Sequence, residues 1–264
     1  GGGAGRPAPT ATAPTASDRA ARECGAKILW ALSAEPANKA PMWEDAAGAR
    51  AAIVAAAGRG GLADRKARIC ALGALQNLSS DAQLKSKIWE DAQGARAALV
   101  AAARLEDPAD RMARVCALGA LQNLSNAGDA QAMWTDEPSR GALLEAARLQ
   151  GAADRRSRAC ALGALRNLAA KSENRELMWK GTEDARAVVV EAARLSDPAD
   201  REARECALAT IWNLAAEPAN AKLMDEDAAG VRLALSAASR TQGPENRKAR
   251  AYALAALRSL PAAA

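Results

Sequence analysis

The stretch ALGALQNLS stands at Ala71–Ser79 and returns letter for letter at Ala117–Ser125. An identity repeated 46 residues on marks a duplicated unit, and the flanking sequence extends it. The longer copies are DRKARICALGALQNL from Asp64, DRMARVCALGALQNL from Asp110, DRRSRACALGALRNL from Asp154 and DREARECALATIWNL from Asp200. Weaker copies open at Asn246 (NRKARAYALAALRSL) and at Asp18 (DRAARECGAKILWAL). Cys24, Cys70, Cys116, Cys160 and Cys206 act as the ruler, 46, 46, 44 and 46 residues apart, and the next step lands on Tyr252. Between them fall Trp43, Trp89, Trp134 and Trp179, with Asp225 in the fifth place.

Each unit reads as three helices. A short one ends at the tryptophan, an alanine-rich amphipathic one follows (ARAALVAAARL), and a long one carries the cysteine motif. Asp107-Pro108 and Asp197-Pro198 place a capping carboxylate before a proline, a combination that opens a helix because proline has no N–H to leave unsatisfied. The long helices run to Leu78, Leu124, Leu168, Leu214 and Leu260, where loop residues break the pattern. A lone long helix at residues 17–33 leads in. The expected fold is all-α: a right-handed α-solenoid of about five repeats, packed as one domain over residues 17–264.

Composition agrees with helices. Half the residues are hydrophobic, many of them alanine, while aromatics make up 3% and Phe is absent, so strands find few of their usual residues. No run of 18 apolar residues occurs, which excludes an apolar membrane-spanning helix. The net charge of +5 is spread among 36 basic and 31 acidic residues, too dilute to indicate nucleic acid. Residues 1–16, rich in Gly, Pro, Ala and Thr, read as a flexible or partner-bound tail.

The unit resembles an armadillo repeat, a relative of HEAT repeats, over about residues 17–260. The resemblance rests on the short first helix ENRELMW, the second ARAVVVEAARL and the ending AL-x-N-L at Ala74–Leu78, Ala120–Leu124 and Ala164–Leu168. It implies a concave face built from the long helices. It also implies that Asn77, Asn123, Asn167 and Asn213 pair with the backbone of a bound peptide. The position four residues earlier is Trp in nuclear-transport relatives and is Gly73, Gly119, Gly163 or Ala209 here, which argues against a basic import signal as ligand.

At about 100° per residue, Leu72, Leu75 and Leu78 cluster opposite Asn77, while Gly73 and Cys70 share the asparagine face. The glycines are expected to bare helix backbone for the close approach of a partner chain. Gln76, Gln122, Arg166, Trp212 and, in the lead-in helix, Trp30 immediately precede the asparagine position and flank the same face. Trp43, Trp89, Trp134 and Trp179 are expected in the core.

Asp18, Asp64, Asp110, Asp154 and Asp200 each stand four residues before an arginine (Arg22, Arg68, Arg114, Arg158, Arg204). That is an in-helix pairing distance, and the arginines fall on the buried side, where they would stitch repeats together.

The cysteines are separated by a repeat and form no CxxC, and the chain has no histidine, so no metal, cofactor or disulfide is expected. Reduced thiols place the protein inside a cell, in the cytoplasm or an organelle, not among secreted proteins. The expected function is a non-catalytic scaffold that binds a protein segment along its groove, as a peripheral or linker subunit of a larger assembly. RNA binding by a helical-repeat surface is the alternative. No histidine, phosphate loop or ligand cluster supports catalysis, so the chain is read as no enzyme.

Overall fold

The computed structural model describes residues 15–127, 130–181 and 183–261. The lead-in helix is α1 (Ala16–Ser33), capped by Thr15 in a reciprocal box with Asp18. Of the tail read at residues 1–16, residues 1–14 lie outside the described residues.

Five triplets follow. They are α2 (Pro36–Glu44), α3 (Ala49–Ala57) and α4 (Arg65–Ser79); α5 (Lys85–Glu90), α6 (Ala95–Ala103) and α7 (Arg111–Leu124); and α8 (Ala130–Thr135), α9 (Glu137–Ala147) and α10 (Arg155–Ala169). Then come α11 (Ser172–Lys180), α12 (Glu183–Ala193) and α13 (Arg201–Ala215), and finally α14 (Pro218–Glu226), α15 (Leu233–Ser239) and α16 (Arg247–Ser259). No strand occurs among the described residues.

The long third helices α1, α4, α7, α10, α13 and α16 pack side by side in chain order, and each full repeat lays its second helix against its own third and against the neighbouring second helices. Leu72, Leu75, Leu78, Leu118, Leu121, Leu162, Leu165 and Leu168 are fully buried, and one apolar core runs unbroken from Met42 to Leu260. No repeat has a core of its own, so the stack is a single α-solenoid.

Helix starts differ in detail from the reading of Asp-Pro as the first helical turn. Asp107 does cap, accepting from the Ala109 N–H at 2.8 Å, but Pro108–Asp110 form one 3-10 turn and the α-helix begins at Arg111. At the position of Asp107 and Asp197, the other full repeats carry Gly61, Gly151 and Gly243, all with left-handed φ near +81 to +92°. A side chain there would strain the turn. Second helices are capped by the carboxylate after the tryptophan motif: Asp45 accepts from Ala49 N–H at 2.7 Å, Asp91 from Ala95 N–H at 2.9 Å and Asp136 from Ser139 N–H at 3.0 Å.

Trp43, Trp89, Trp134 and Trp179 are buried as expected. Each ring also lies under a guanidinium from the first turn of the second helix, with Arg50, Arg96, Arg140 and Arg186 at 5.4, 4.6, 5.9 and 6.0 Å from the centroids. Where Asp225 replaces the tryptophan, Arg232 forms an ion pair with it instead.

The charge ladder stitches repeats, but not through the four-residue spacing. Each arginine reaches forward to the aspartate of the following repeat: Arg22 to Asp64 at 2.8 Å, Arg68 to Asp110 and Arg114 to Asp154 at 2.5 Å, and Arg158 to Asp200. At the end of the row Asn246 takes the carboxylate's place and accepts from Arg204 at 2.6 Å. The arginines sit one turn inside their helices, facing the next repeat, whose aspartate waits just before its own third helix. The same guanidiniums donate to carbonyls just beyond the second helix, Arg68 to Arg59 O at 2.8 Å and Arg204 to Leu195 O at 2.9 Å, as does Arg250 at that position of α16 to Thr241 O at 2.7 Å. One side chain thereby ties three chain segments together. Asp18 instead joins Thr15 in the capping box of α1.

Candidate functional site

The candidate surface is the row of third helices. Helical spacing places Met112, Cys116, Gly119 and Asn123 on one stripe of α7, and Lys66, Cys70, Gly73 and Asn77 on the matching stripe of α4. The cysteines are buried in these stripes.

The asparagines are half-buried and turned toward the preceding third helix. Asn77 Nδ2 donates to Ser33 Oγ at 3.0 Å and to Trp30 O at 3.4 Å. Asn123 donates to Gln76 O and Ser79 Oγ, both at 3.1 Å, and Asn167 to Gln122 O and Ser125 Oγ, both at 3.1 Å. Asn213 donates to Arg166 O at 3.2 Å; Ala169 stands where the earlier repeats have serine. The amide donors therefore staple neighbouring repeats. Only the carboxamide oxygens remain for a partner, and that of Asn167 already accepts from Arg166 Nη2 at 3.2 Å.

The glycines are not bare backbone either. Gly73, Gly119 and Gly163 are buried. The residue before each asparagine position leans onto the glycine of the next repeat: Trp30 onto Gly73, Gln76 onto Gly119 and Gln122 onto Gly163. A Cβ at Gly73 would stand 2.6 Å from Trp30 Nε1. The expectation that a partner's main chain reaches the glycines is corrected accordingly, because the neighbouring repeat already fills that space.

Gly73→Ala is expected to destabilise the chain by expelling the rigid indole, with a red shift in tryptophan emission. Gly119→Ala needs only a rotation of the Gln76 amide and gains up to about 1 kcal/mol of helix propensity. Thermal melts of the two variants should move in opposite directions.

Trp30 and Trp212 are each 40% exposed, one near either end of the row. Trp212 packs against Tyr252 of the last repeat, centroids 5.8 Å apart and tilted by 30°. Met112 is 55% exposed in the middle. Two cations on this face are paired with acids: Arg156 with Glu202 at 2.9 Å and Lys66 with Glu23 at 3.7 Å.

Burial pushes the thiols of Cys70 and Cys160 up, and those of Cys116 and Cys206 up to about 11. At about pH 8, thiolate being the reactive form, a chromogenic disulfide reagent is expected to titrate exposed Cys24 at once. The four buried cysteines should respond only after denaturant is added. Five fast thiols in the folded chain would contradict the packing.

Sequence reasoning missed a second set of asparagines in the first helices. Asn174 and Asn220 are fully buried. Asn174 Nδ2 donates to Leu168 O at 3.1 Å and Ala130 O at 3.2 Å, and Asn220 to Arg175 O at 2.8 Å and Leu214 O at 3.2 Å. Asn38 donates to Leu32 O at 3.0 Å. The signal was present in the recurrent AEPAN of residues 34–38 and 216–220. These amides close the C-terminal ends of the long helices.

Among the described residues, no three His, Cys, Asp or Glu side chains gather where a metal ion could be held, and no helix is long and apolar enough to cross a membrane.

No protein-family model matches the chain, and no curated protein does. Solved structures do. A designed armadillo repeat protein, 21% identical, aligns over 94% of this chain and 96% of its own with a TM-score of 0.71. Two engineered proteins from the Northeast Structural Genomics Consortium, 20% and 18% identical, align with TM-scores of 0.68 and 0.71. They cover 93% and 94% of this chain and the same shares of their own.

Proposed function

From an armadillo-like repeat fold, we propose that the chain is a non-catalytic scaffold that holds a protein segment across its third-helix face. The observation that carries this is the row of carboxamide oxygens. With their Nδ2 groups committed to the preceding repeat, Asn77, Asn123 and Asn213 present acceptors, one repeat and two repeats apart, without an internal donor among the described residues. Acceptors in a row suit the backbone N–H groups of an extended segment. Half-exposed Trp30 and Trp212 and exposed Met112 supply apolar anchors along the same line.

A protein ligand is favoured over RNA because Arg156 and Lys66 on this face already pair with acids, which weakens the positive field that phosphates need. Stacking rings are absent from the α4, α7 and α10 stripes. Catalysis is disfavoured by a chain without histidine, in which the shifted carboxylates belong to structural pairs and caps.

The test is selection of displayed peptides on the full chain. Substituting the asparagines would break repeat contacts, so Met112→Arg and Gln122→Arg, the latter putting at Gln122 the residue type that the next repeat carries as Arg166, serve as face variants and Leu177→Arg, exposed on α11, as control. Selected peptides are expected to lose at least about tenfold in affinity to the face variants and nothing to the control. Failure to enrich any peptide, or enrichment insensitive to both face variants, would refute the reading.

A further inference from the structure

The ladder of guanidiniums and carboxylates loses its acids at one contact. From α1 to α13 each ladder arginine meets an aspartate of the next repeat: Asp64, Asp110, Asp154 or Asp200. A second arginine, three residues before the first, joins the same carboxylate from α4, α7 and α10, with Arg65 at 3.0 Å, Arg111 at 3.7 Å and Arg155 at 3.4 Å. Arg65 and Arg155 also pair with Asp107 and Asp197, three residues before that aspartate. Between α13 and α16 both acids are gone. Gly243 stands at the position of Asp107 and Asp197, and Asn246 at that of Asp110 and Asp200.

The two cations remain. Arg204 is 7% exposed, and among the described residues its acceptors are neutral: Asn246 Oδ1 at 2.6 Å and Leu195 O at 2.9 Å. A buried charge without a counter-ion is costly. Arg201 turns back to Glu205 of its own helix at 3.8 Å, and its side chain is 55% exposed, against 21% for Arg65 and 31% for Arg155.

Both line a recess of about 440 Å³ between the end of α12, α15, the start of α13 and the 3-10 turn Pro244–Asn246. The corresponding recess beside Arg68 and Asp110 measures about 260 Å³. The charged residues of the larger one are Arg194, Arg201, Arg204 and Glu245. Glu245 does not serve the arginines: its carboxylate folds back over Gly243 and accepts from Asn246 Nδ2 at 3.1 Å. Positive charge therefore exceeds negative in a recess with space beside its cations.

We propose that this recess binds a carboxylate, seated between Arg201 and Arg204 where an aspartate sits in the earlier repeats. Guanidiniums hold a planar carboxylate through paired N–H···O bonds, and the earlier contacts show that these two positions converge on one such group. The added volume accommodates the body that carries it.

The experiment is a series of thermal melts of the full chain with sodium succinate, with aspartate blocked by acetyl and amide groups, and with sodium phosphate, at constant ionic strength so that screening is equal. A ligand held only by the folded chain raises the melting temperature. At least one of the two carboxylates is expected to raise it by at least about 2 °C. A larger effect of succinate assigns the seat to a small free acid, and a larger effect of the blocked aspartate assigns it to an acidic side chain of a partner. Arg201→Gln, at an exposed position, should weaken the apparent affinity at least about fivefold. Asn246 has the backbone angles of Asp110, φ −94° and ψ 4° against −92° and 6°. Asn246→Asp therefore rebuilds the internal acid, and it should raise the melting temperature without ligand and abolish the response to carboxylate. No response to either carboxylate, or a response that survives Asn246→Asp, would overturn the proposal. So would a phosphate response larger than both and likewise lost in Asn246→Asp.

Discussion

Asp110→Ala is expected to cost about 3–5 kcal/mol of stability, the loss seen when one partner of a buried ion pair is removed. Asp110 is 5% exposed and receives Arg68 at 2.5 Å and Arg65 at 3.0 Å. Removing it leaves the buried Arg68 guanidinium without its anion, although its bond to Arg59 O at 2.8 Å survives. Replacing both Arg68 and Asp110 by leucine should be milder than Asp110→Ala alone, because no orphan charge is left behind. Urea unfolding followed by circular dichroism measures both. A loss below about 1 kcal/mol, the value of an exposed pair, would show that the ladder is decoration.

The pair also sets a pH dependence. Burial raises the Asp110 carboxyl and the hydrogen bonds from Arg65 and Arg68 outweigh it, holding it below the usual 3.8. A depressed carboxylate contributes fully above its unfolded pKa and loses that contribution as pH falls through its folded value. Stability should therefore drop on acidification below about pH 4, and less steeply in the double-leucine variant.

Trp134→Ala is the second large effect. Trp134 is 3% exposed in the middle repeat, and truncation of a buried tryptophan costs about 3–5 kcal/mol. Arg140 loses the ring it covers at 5.9 Å. In a stack where stability is shared between neighbours, weakening the centre uncouples the two sides. The variant is expected to unfold in two urea transitions where the parent shows one. Trp212→Ala, removing a side chain 40% exposed on the third-helix face, should cost far less and preserve a single transition. Equal losses in the two variants would contradict the division into core and surface tryptophans.

Periodicity made the repeat number, the three-helix unit and the leucine core legible, because Leu72, Leu75 and Leu78 recur with both helical and repeat spacing. It also placed Trp43, Trp89, Trp134 and Trp179 in the core. What it could not supply was the neighbour. A helical wheel orients Asn123 and Gly119 about one axis, but not which side chain from the adjacent repeat arrives there. Gln76 therefore covers Gly119, and Ser79 and Gln76 take the Asn123 amide, in a place that reads as open face. For Arg68, the aspartate four residues back and the one in the next repeat fit the same period, and only packing selects Asp110. Asn174 and Asn220 escaped notice because a buried amide at a helix end leaves no periodic apolar mark.

The account rests on third helices standing side by side, each stapled to the one before it by an asparagine amide. Exchange of the Nδ2 protons of Asn77, Asn123, Asn167 and Asn213, measured by nitrogen-15 NMR, tests this directly. Relative to exposed Asn126, all four are expected to exchange at least about fivefold more slowly, the protection of a hydrogen bond worth about 1 kcal/mol. Exchange of all four at the rate of Asn126 would mean that the staples do not exist and that the repeats are not stacked as described.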